Sequence, residues 1–359
     1  MPGTPGTATP PATPYLRVDL ARLRRNIRRA AERAASAGVA LRPHVKTHKC
    51  VEIARLQLAS GASGITVATL GEAETFARHG FDDVFIAYPL WLDELSARRL
   101  RDLLALATVT IGIDSTEGAA AAGLHLGELG VQALVEVDSG HHRSGVQPDE
   151  AGALAVTAGR TGLDVRGVFT FPGHSYAPDN LDGAAVDEAG ALHDAVESFR
   201  AVGVEPQVVS GGSTPSLAAS NTDVLTELRP GVYVFGDAQQ WELGSMAPDE
   251  VALTCRARVV SHAGGRLVLD AGSKALGADR APWASGFGRL LDRPEARLVL
   301  LSEHHSVADV GAATLPAIGT QVDVVPNHVC CAVNLTDTLY VADAGELRAW
   351  SVAARGQNG

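Results

Sequence analysis

Short apolar runs alternate with amphipathic stretches through the first two thirds of the chain. After a strand-like run at 15–18, Asp19 is a candidate N-cap for a helix reaching about Ser36, with Leu20, Leu23, Ile27, Ala31 and Ala34 as its apolar stripe. Further strand-like runs lie near 40–46, 65–69, 83–88, 108–113, 132–138, 165–171, 206–210 and 231–235, separated by Ala- and Leu-rich helical stretches. Regular alternation predicts parallel βα units, and eight of them predict an α/β fold closed as a TIM-type (β/α)8 barrel. Several runs end in polar or reactive residues, among them Lys46, Asp138, His174 and Ser210, and barrel enzymes keep their chemistry at those strand ends. Past residue 245 helical spacing is scarce. Runs at 252–261, 266–270, 297–301, 321–325 and 338–341 predict a smaller, mostly-β C-terminal domain. The expected organisation is a disordered tail over 1–13, a barrel over 14–245 and a β domain over 246–359, with 14–18 as a candidate pairing strand for the latter.

Composition narrows the function classes. Of 359 residues 46% are hydrophobic and 20% charged, enough for a core and against a disordered or fibrous chain. The net charge of −11, with no basic run, argues against nucleic acid and anionic membrane as partners. No stretch approaches the roughly 20 apolar residues of a membrane helix. The start, MPGTPGTATPPAT, lacks the basic and apolar regions of a secretory signal. Four irregularly spaced cysteines do not make a disulfide framework, so a cytoplasmic location is expected.

Arginine supplies nearly all the positive charge; the only lysines are Lys46, Lys49 and Lys274. A lysine amine can lose its proton and attack an aldehyde, which arginine cannot. Lys46 stands at a predicted strand end beside Arg42, His44, His48 and Lys49, cations that favour the neutral amine. Lys49 is the solvated alternative. The segments Ser210-Gly211-Gly212-Ser213-Thr214-Pro215 and Arg229-Pro230-Gly231-Val232-Tyr233 fall where barrels often bind phosphate, after the seventh strand and around the eighth. Arg143, just beyond the fifth strand, has two readings: a donor to a ring nitrogen, or a salt-bridge partner of Asp138. Late in the chain comes Pro326-Asn327-His328-Val329-Cys330-Cys331. If extended, it points His328 and Cys330 to one face and Cys331 to the other, and an imidazole with a thiolate suits zinc. Glu303, His304 and His305 are candidates to complete the shell.

Taken in order, Pro43-His44-Val45-Lys46-Thr47-His48-Lys49, the Asp138 to Arg143 segment, Pro172-Gly173-His174-Ser175-Tyr176, the two glycine loops, Leu269-Asp270-Ala271-Gly272-Ser273-Lys274-Ala275 and the His328–Cys330 motif resemble one family. It is the D-threonine aldolase/D-serine dehydratase family of fold-type III pyridoxal-phosphate enzymes, related to alanine racemase. The resemblance implies pyridoxal 5'-phosphate on Lys46, with Arg143 near its pyridine nitrogen. It implies phosphate contacts from Ser210, Gly211, Gly212, Ser213, Thr214, Gly231 and Tyr233, His174 and Tyr176 near the substrate, and zinc or another divalent metal on His328 and Cys330. It also implies a homodimer. Two departures stand out: Ser302-Glu303-His304-His305-Ser306 replaces the common Ser-Glu-Glu-His-Gly, and Cys330 replaces the aspartate usual in aldolases.

The resulting expectation is a lyase acting on a small D-3-hydroxy amino acid, of D-serine/D-threonine dehydratase type. Retro-aldol cleavage by a D-threonine aldolase is the alternative. A racemase, which needs two bases and no metal, and a non-catalytic pyridoxal-phosphate carrier, which needs no β domain, are the readings of other classes.

Overall fold

The computed structural model describes residues 9–359 and divides into two compact units. One comprises Ala30–Lys46, Gln57–Gly231 and Gln357–Gly359; the other comprises the described residues up to Arg29, Thr47–Leu56 and Val232–Gly356. The first eight positions of the 1–13 stretch lie outside the described residues. At its other end the Thr13 hydroxyl donates to Asp270 across 2.5 Å.

The larger unit is a barrel of eight parallel strands. In chain order after β1 (Tyr15–Asp19), which belongs to the other unit, these are β2 (Ala40–Leu41), β3 (Ile65–Val67), β4 (Asp83–Pro89), β5 (Thr108–Ile113), β6 (Gln132–Glu136), β7 (Asp164–Phe169), β8 (Val208–Gly211) and β9 (Glu227–Leu228). Their spatial order is β2-β9-β8-β7-β6-β5-β4-β3. A bridge between His44 and Thr66 closes the ring, with the Thr66 N–H donating to the Pro43 carbonyl at 2.9 Å. The strands are mostly buried, as expected where helices cover a parallel sheet. Within the barrel, Phe85 and Phe169 meet edge to face at 5.0 Å, and the Arg229 guanidinium lies over both rings, 5.4 and 5.3 Å from their centroids. A polar chain runs through neighbouring strands: Arg42 bridges Asp83 and Glu227, Glu227 accepts from Ser210, and Ser210 accepts from Arg229.

The eighth strand differs from its predicted place. Residues Val232–Val234 form a 3-10 turn, and the strand is Glu227–Leu228. A continuous apolar run suits a buried turn as well as a strand, and periodicity does not separate the two. The Arg229-Pro230-Gly231 segment therefore follows the last strand.

The second unit is a nine-stranded sheet. Its further strands are β10 (Leu253–Ser261), β11 (Leu267–Leu269), β12 (Gly288–Leu290), β13 (Arg293–Leu301), β14 (Ser306–Asp309), β15 (Gln321–Pro326), β16 (Thr338–Asp343) and β17 (Glu346–Ser351), in the order β11-β14-β13-β12-β15-β10-β1-β16-β17. Strand β1 sits inside it, antiparallel to β10 and parallel to β16. The helix Leu20–Ser36 starts as expected, with the Arg22 N–H donating to the Asp19 carboxylate at 3.0 Å. Leu20, Leu23, Ile27 and Ala34 on its stripe are buried. Among the described residues, no helix is long and apolar enough to cross a membrane.

Candidate active site

The three lysines separate by environment. Lys49 is buried and donates to the Asn334 side chain at 2.8 Å. Lys274 is exposed and paired with Glu303 at 2.8 Å. Lys46, half-buried just beyond β2, has its Nζ 5.8 Å from the centroid of the Phe171 ring. That ring is a meeting point in the barrel unit. The Arg143 guanidinium lies 5.3 Å from it, His141 meets it edge-on at 5.5 Å, and Tyr176 lies tilted at 6.1 Å. Side chains from three strand-end segments, after β2, β6 and β7, thus converge at one phenylalanine.

Asp138 is not the partner of Arg143. It shapes the loop after β6, accepting from the backbone N–H groups of Gly140 and His142 at 2.9 and 3.0 Å and from the His142 ring at 2.8 Å. Burial works against its ionisation, but these donors outweigh it and hold the carboxyl below its ordinary value. Burial, assisted by Arg143 and His174, lowers His141. The charge of Arg42 is matched by Asp83 and Glu227, so it adds less to the field at Lys46 than its place in the motif suggests.

His174 sits on the 3-10 turn Gly173–Tyr176, with Nε2 3.2 Å from the Asp187 carboxylate. The next residue, Ser175, shares a buried 2.8 Å hydrogen bond with Ser213, which ties this turn to the glycine loop after β8. Gly212 there has φ +86°, a left-handed conformation natural to glycine. Its N–H donates to the buried Glu188 at 2.6 Å, and the Ser210 hydroxyl donates to Glu227 at 2.6 Å. Ser210 and Gly212 are thus engaged inside the barrel, and the Ser213 hydroxyl also meets that of Ser216 at 2.8 Å. Just past β9, the Pro230 carbonyl accepts from the His44 N–H at 3.0 Å, linking the Lys46 segment to the one that holds Gly231. Tyr233 is buried on the turn that follows.

Burial raises Glu188 to about 7, against the opposing donor of Gly212 and the charge of Arg229. A carboxyl raised in the folded state gives full stability below its unfolded value near 4.5, and that stability is lost as pH rises to about 7. The loss is roughly 3 kcal/mol at 1.4 kcal/mol per unit. Glu188→Gln is expected to match the parent in urea denaturation near pH 4.5 and to exceed it near pH 8; parallel pH curves would contradict the assignment.

In the other unit His328 caps the short helix Val329–Asn334. Since that segment is helical and not extended, the two-face argument for Cys330 against Cys331 does not hold, and both sulfurs approach His328. The His328 Nδ1 donates to the Asp279 carboxylate, to which the Cys331 thiol also donates at 3.6 Å. The Cys330 thiol donates to the Thr47 hydroxyl at 3.4 Å. Burial opposes protonation of His328, but Cys330, Cys331 and Asp237 outweigh it and raise the imidazole to about 12. Imidazole, thiol and carboxylate together form a donor set that suits zinc. Among the described residues, one group of His, Cys, Asp or Glu has three ligand atoms close enough to share an ion: Asp279, His328 and Cys331, within 4.8 Å of one another. Glu303 and His304 stand apart from it, exposed, with Glu303 held by Lys274.

Comparison with known proteins gives this arrangement its context. Residues 18–239 match the family described as alanine racemase, N-terminal domain, and residues 252–342 match the putative serine dehydratase domain. The chain belongs to the D-threonine aldolase/D-serine dehydratase family of fold-type III pyridoxal-phosphate enzymes. It is 37% identical to the D-threo-3-hydroxyaspartate dehydratase of Delftia sp. (strain HT23), over 89% of this chain and 90% of that protein. The solved structure of that dehydratase has a TM-score of 0.86 at 33% identity, over 95% of this chain and 97% of the other. The 3-hydroxy-D-aspartate aldolase of Paracoccus denitrificans (strain Pd 1222) is 32% identical over 96% of this chain and 92% of its own. The D-threonine aldolase of Filomicrobium marinum has a TM-score of 0.86 at 30% identity, over 96% of both chains. Solved forms of D-threo-3-hydroxyaspartate dehydratase include a histidine-to-alanine variant and a cysteine-to-alanine variant described as metal-free, the two altered positions lying two residues apart.

The protein is thus a pyridoxal-phosphate lyase of the class that acts on D-hydroxy amino acids, which sets aside the carrier and racemase readings. Its barrel and β domain are those of the family. Sequence reasoning missed Phe171, His141 and Asp279. Phe171 reads as the tail of an apolar strand, and Asp279 lies 49 positions before His328 with no local motif to mark it.

Proposed function

We propose that the protein dehydrates a D-3-hydroxy amino acid, releasing ammonia and a 2-oxo acid, with pyridoxal phosphate on Lys46 and zinc on His328 and Cys330. The observation that carries the cofactor assignment is the meeting of Lys46, Arg143, His141 and Tyr176 at the Phe171 ring. A flat, conjugated cofactor fits a site walled by an aromatic ring, with a lysine to hold it and an arginine to donate to its pyridine nitrogen. When bound, pyridoxal phosphate supplies the electron sink that acidifies the Cα–H bond. Lys46 then serves as base for that proton, and Ser213, Thr214, Gly231 and Tyr233 are the phosphate contacts. Because hydroxide departs poorly, the β-hydroxyl needs a Lewis acid, and this is what zinc supplies.

The metal-free cysteine variant of D-threo-3-hydroxyaspartate dehydratase supports Cys330 over Cys331, because the His-x-Cys spacing is matched by His328 and Cys330. A thiol in place of an aldolase aspartate favours dehydration. Aldol cleavage remains the second reading on the similarity to two aldolases, with His174 as acceptor of the hydroxyl proton. The reading also includes a homodimer, in keeping with the outward-facing Trp91 and Leu95, and a cytoplasmic location, in keeping with four free thiols.

Product analysis with D-serine, D-threonine and D-threo-3-hydroxyaspartate, with and without zinc, tests this. Pyruvate, 2-oxobutanoate or oxaloacetate with stoichiometric ammonia is the expected outcome. Glycine with an aldehyde, and no ammonia, would replace dehydration by aldol cleavage.

A further inference from the structure

We propose that Asp279 is the positioning residue of the metal centre: its carboxylate accepts a hydrogen bond from the Nδ1–H of His328 and leaves Nε2 as the nitrogen that binds the ion. The proposal rests on the reading that His328 and Cys330 hold a metal.

An imidazole has two nitrogens, and the hydrogen bond made by one decides which is left to a metal. Here Nδ1 is the one engaged. Asp279 is itself fixed from the histidine's side of the chain, because the side chain of Asn327, buried and adjacent to His328, donates to the Asp279 carbonyl at 3.0 Å. The same loop packs against the helix after His328: a Cβ on Gly277, which has φ +74°, would lie 3.0 Å from the Cys331 Cβ. From below, buried Asp237 accepts the Val329 N–H at 3.1 Å and holds the start of that helix. The ring is thus pinned through its backbone and through one nitrogen. A carboxylate in that position also raises the basicity of the ligating nitrogen, and losing such a partner typically weakens metal binding about 10–100-fold. Cys331, whose thiol shares the Asp279 oxygen, belongs to the same supporting group.

The test is cobalt(II) titration of the full-length, pyridoxal-phosphate-loaded protein under chelator competition, following thiolate-to-cobalt absorption, for the parent, D279N and D279A. Asparagine keeps the shape and an acceptor oxygen; alanine keeps neither. D279A is expected to bind cobalt about 10–100-fold more weakly with its thiolate band intact, and D279N to recover most of that loss. Equal losses in D279N and D279A would make Asp279 a ligand and overturn the positioning role. Parental affinity in both variants would overturn it outright while the metal reading stands. A parent protein that shows no thiolate band would bring down the metal reading and this proposal with it.

Discussion

Lys46→Ala is expected to give a folded, colourless protein that borohydride no longer modifies, with turnover reduced by at least about 10⁴-fold, the upper range for loss of a positioned acid–base group. In the parent protein, reduction should trap the cofactor on a single lysine, and peptide mapping should find it at Lys46. The environments of the other two amines make this a sharp test. Lys49 is buried against Asn334 and Lys274 is paired with Glu303, so neither offers a competing nucleophile. A reduced adduct on Lys49 or Lys274 would refute the assignment.

The second large effect concerns the metal. His328→Ala and Cys330→Ala should each abolish turnover while leaving the cofactor's visible absorbance and the borohydride-sensitive lysine unchanged. Cys331→Ala should be milder, weakening the metal within the roughly 10–100-fold range of a supporting group. Inductively coupled plasma analysis of the purified variants, beside turnover with added zinc, separates these outcomes. Full activity of the His328 and Cys330 variants in metal-free buffer would end the metal-assisted mechanism. An inverted order of the two cysteine variants would move the ligand to Cys331.

Much of this was readable in the chain because the signals were local. Seven of the eight barrel strands fall at their expected runs, since an apolar run bounded by helix-like spacing carries its own evidence. Lys46 stands out by lysine scarcity and by its strand end, and His328 with Cys330 by residue type. What was illegible depended on contacts between distant segments. The 231–235 run and the 329–334 stretch are apolar enough to be strand, turn or short helix, and only tertiary packing chose turn and helix. Strands such as Gly288–Leu290 and Ser306–Asp309 are too short for periodicity to register. Asp279 acquires its role from His328, and Phe171 from four residues that no spacing rule connects to it.

The interior position of β1 sets a timetable for synthesis. Arg17 pairs with Thr254 on one side and with Tyr340 on the other. At roughly 5–20 residues per second, a ribosome takes on the order of 15 seconds to a minute to make the chain between those partners. All eight barrel strands emerge during that interval, while the N-terminal strand waits with both of its edges exposed to other chains. The β domain therefore cannot be cut out as one contiguous gene segment. A fragment beginning near residue 246 would lack its seventh strand in spatial order, leaving β10 and β16 with a gap between them. Supplying residues 9–36 in trans, or fusing them ahead of such a fragment, is the natural way to restore the sheet.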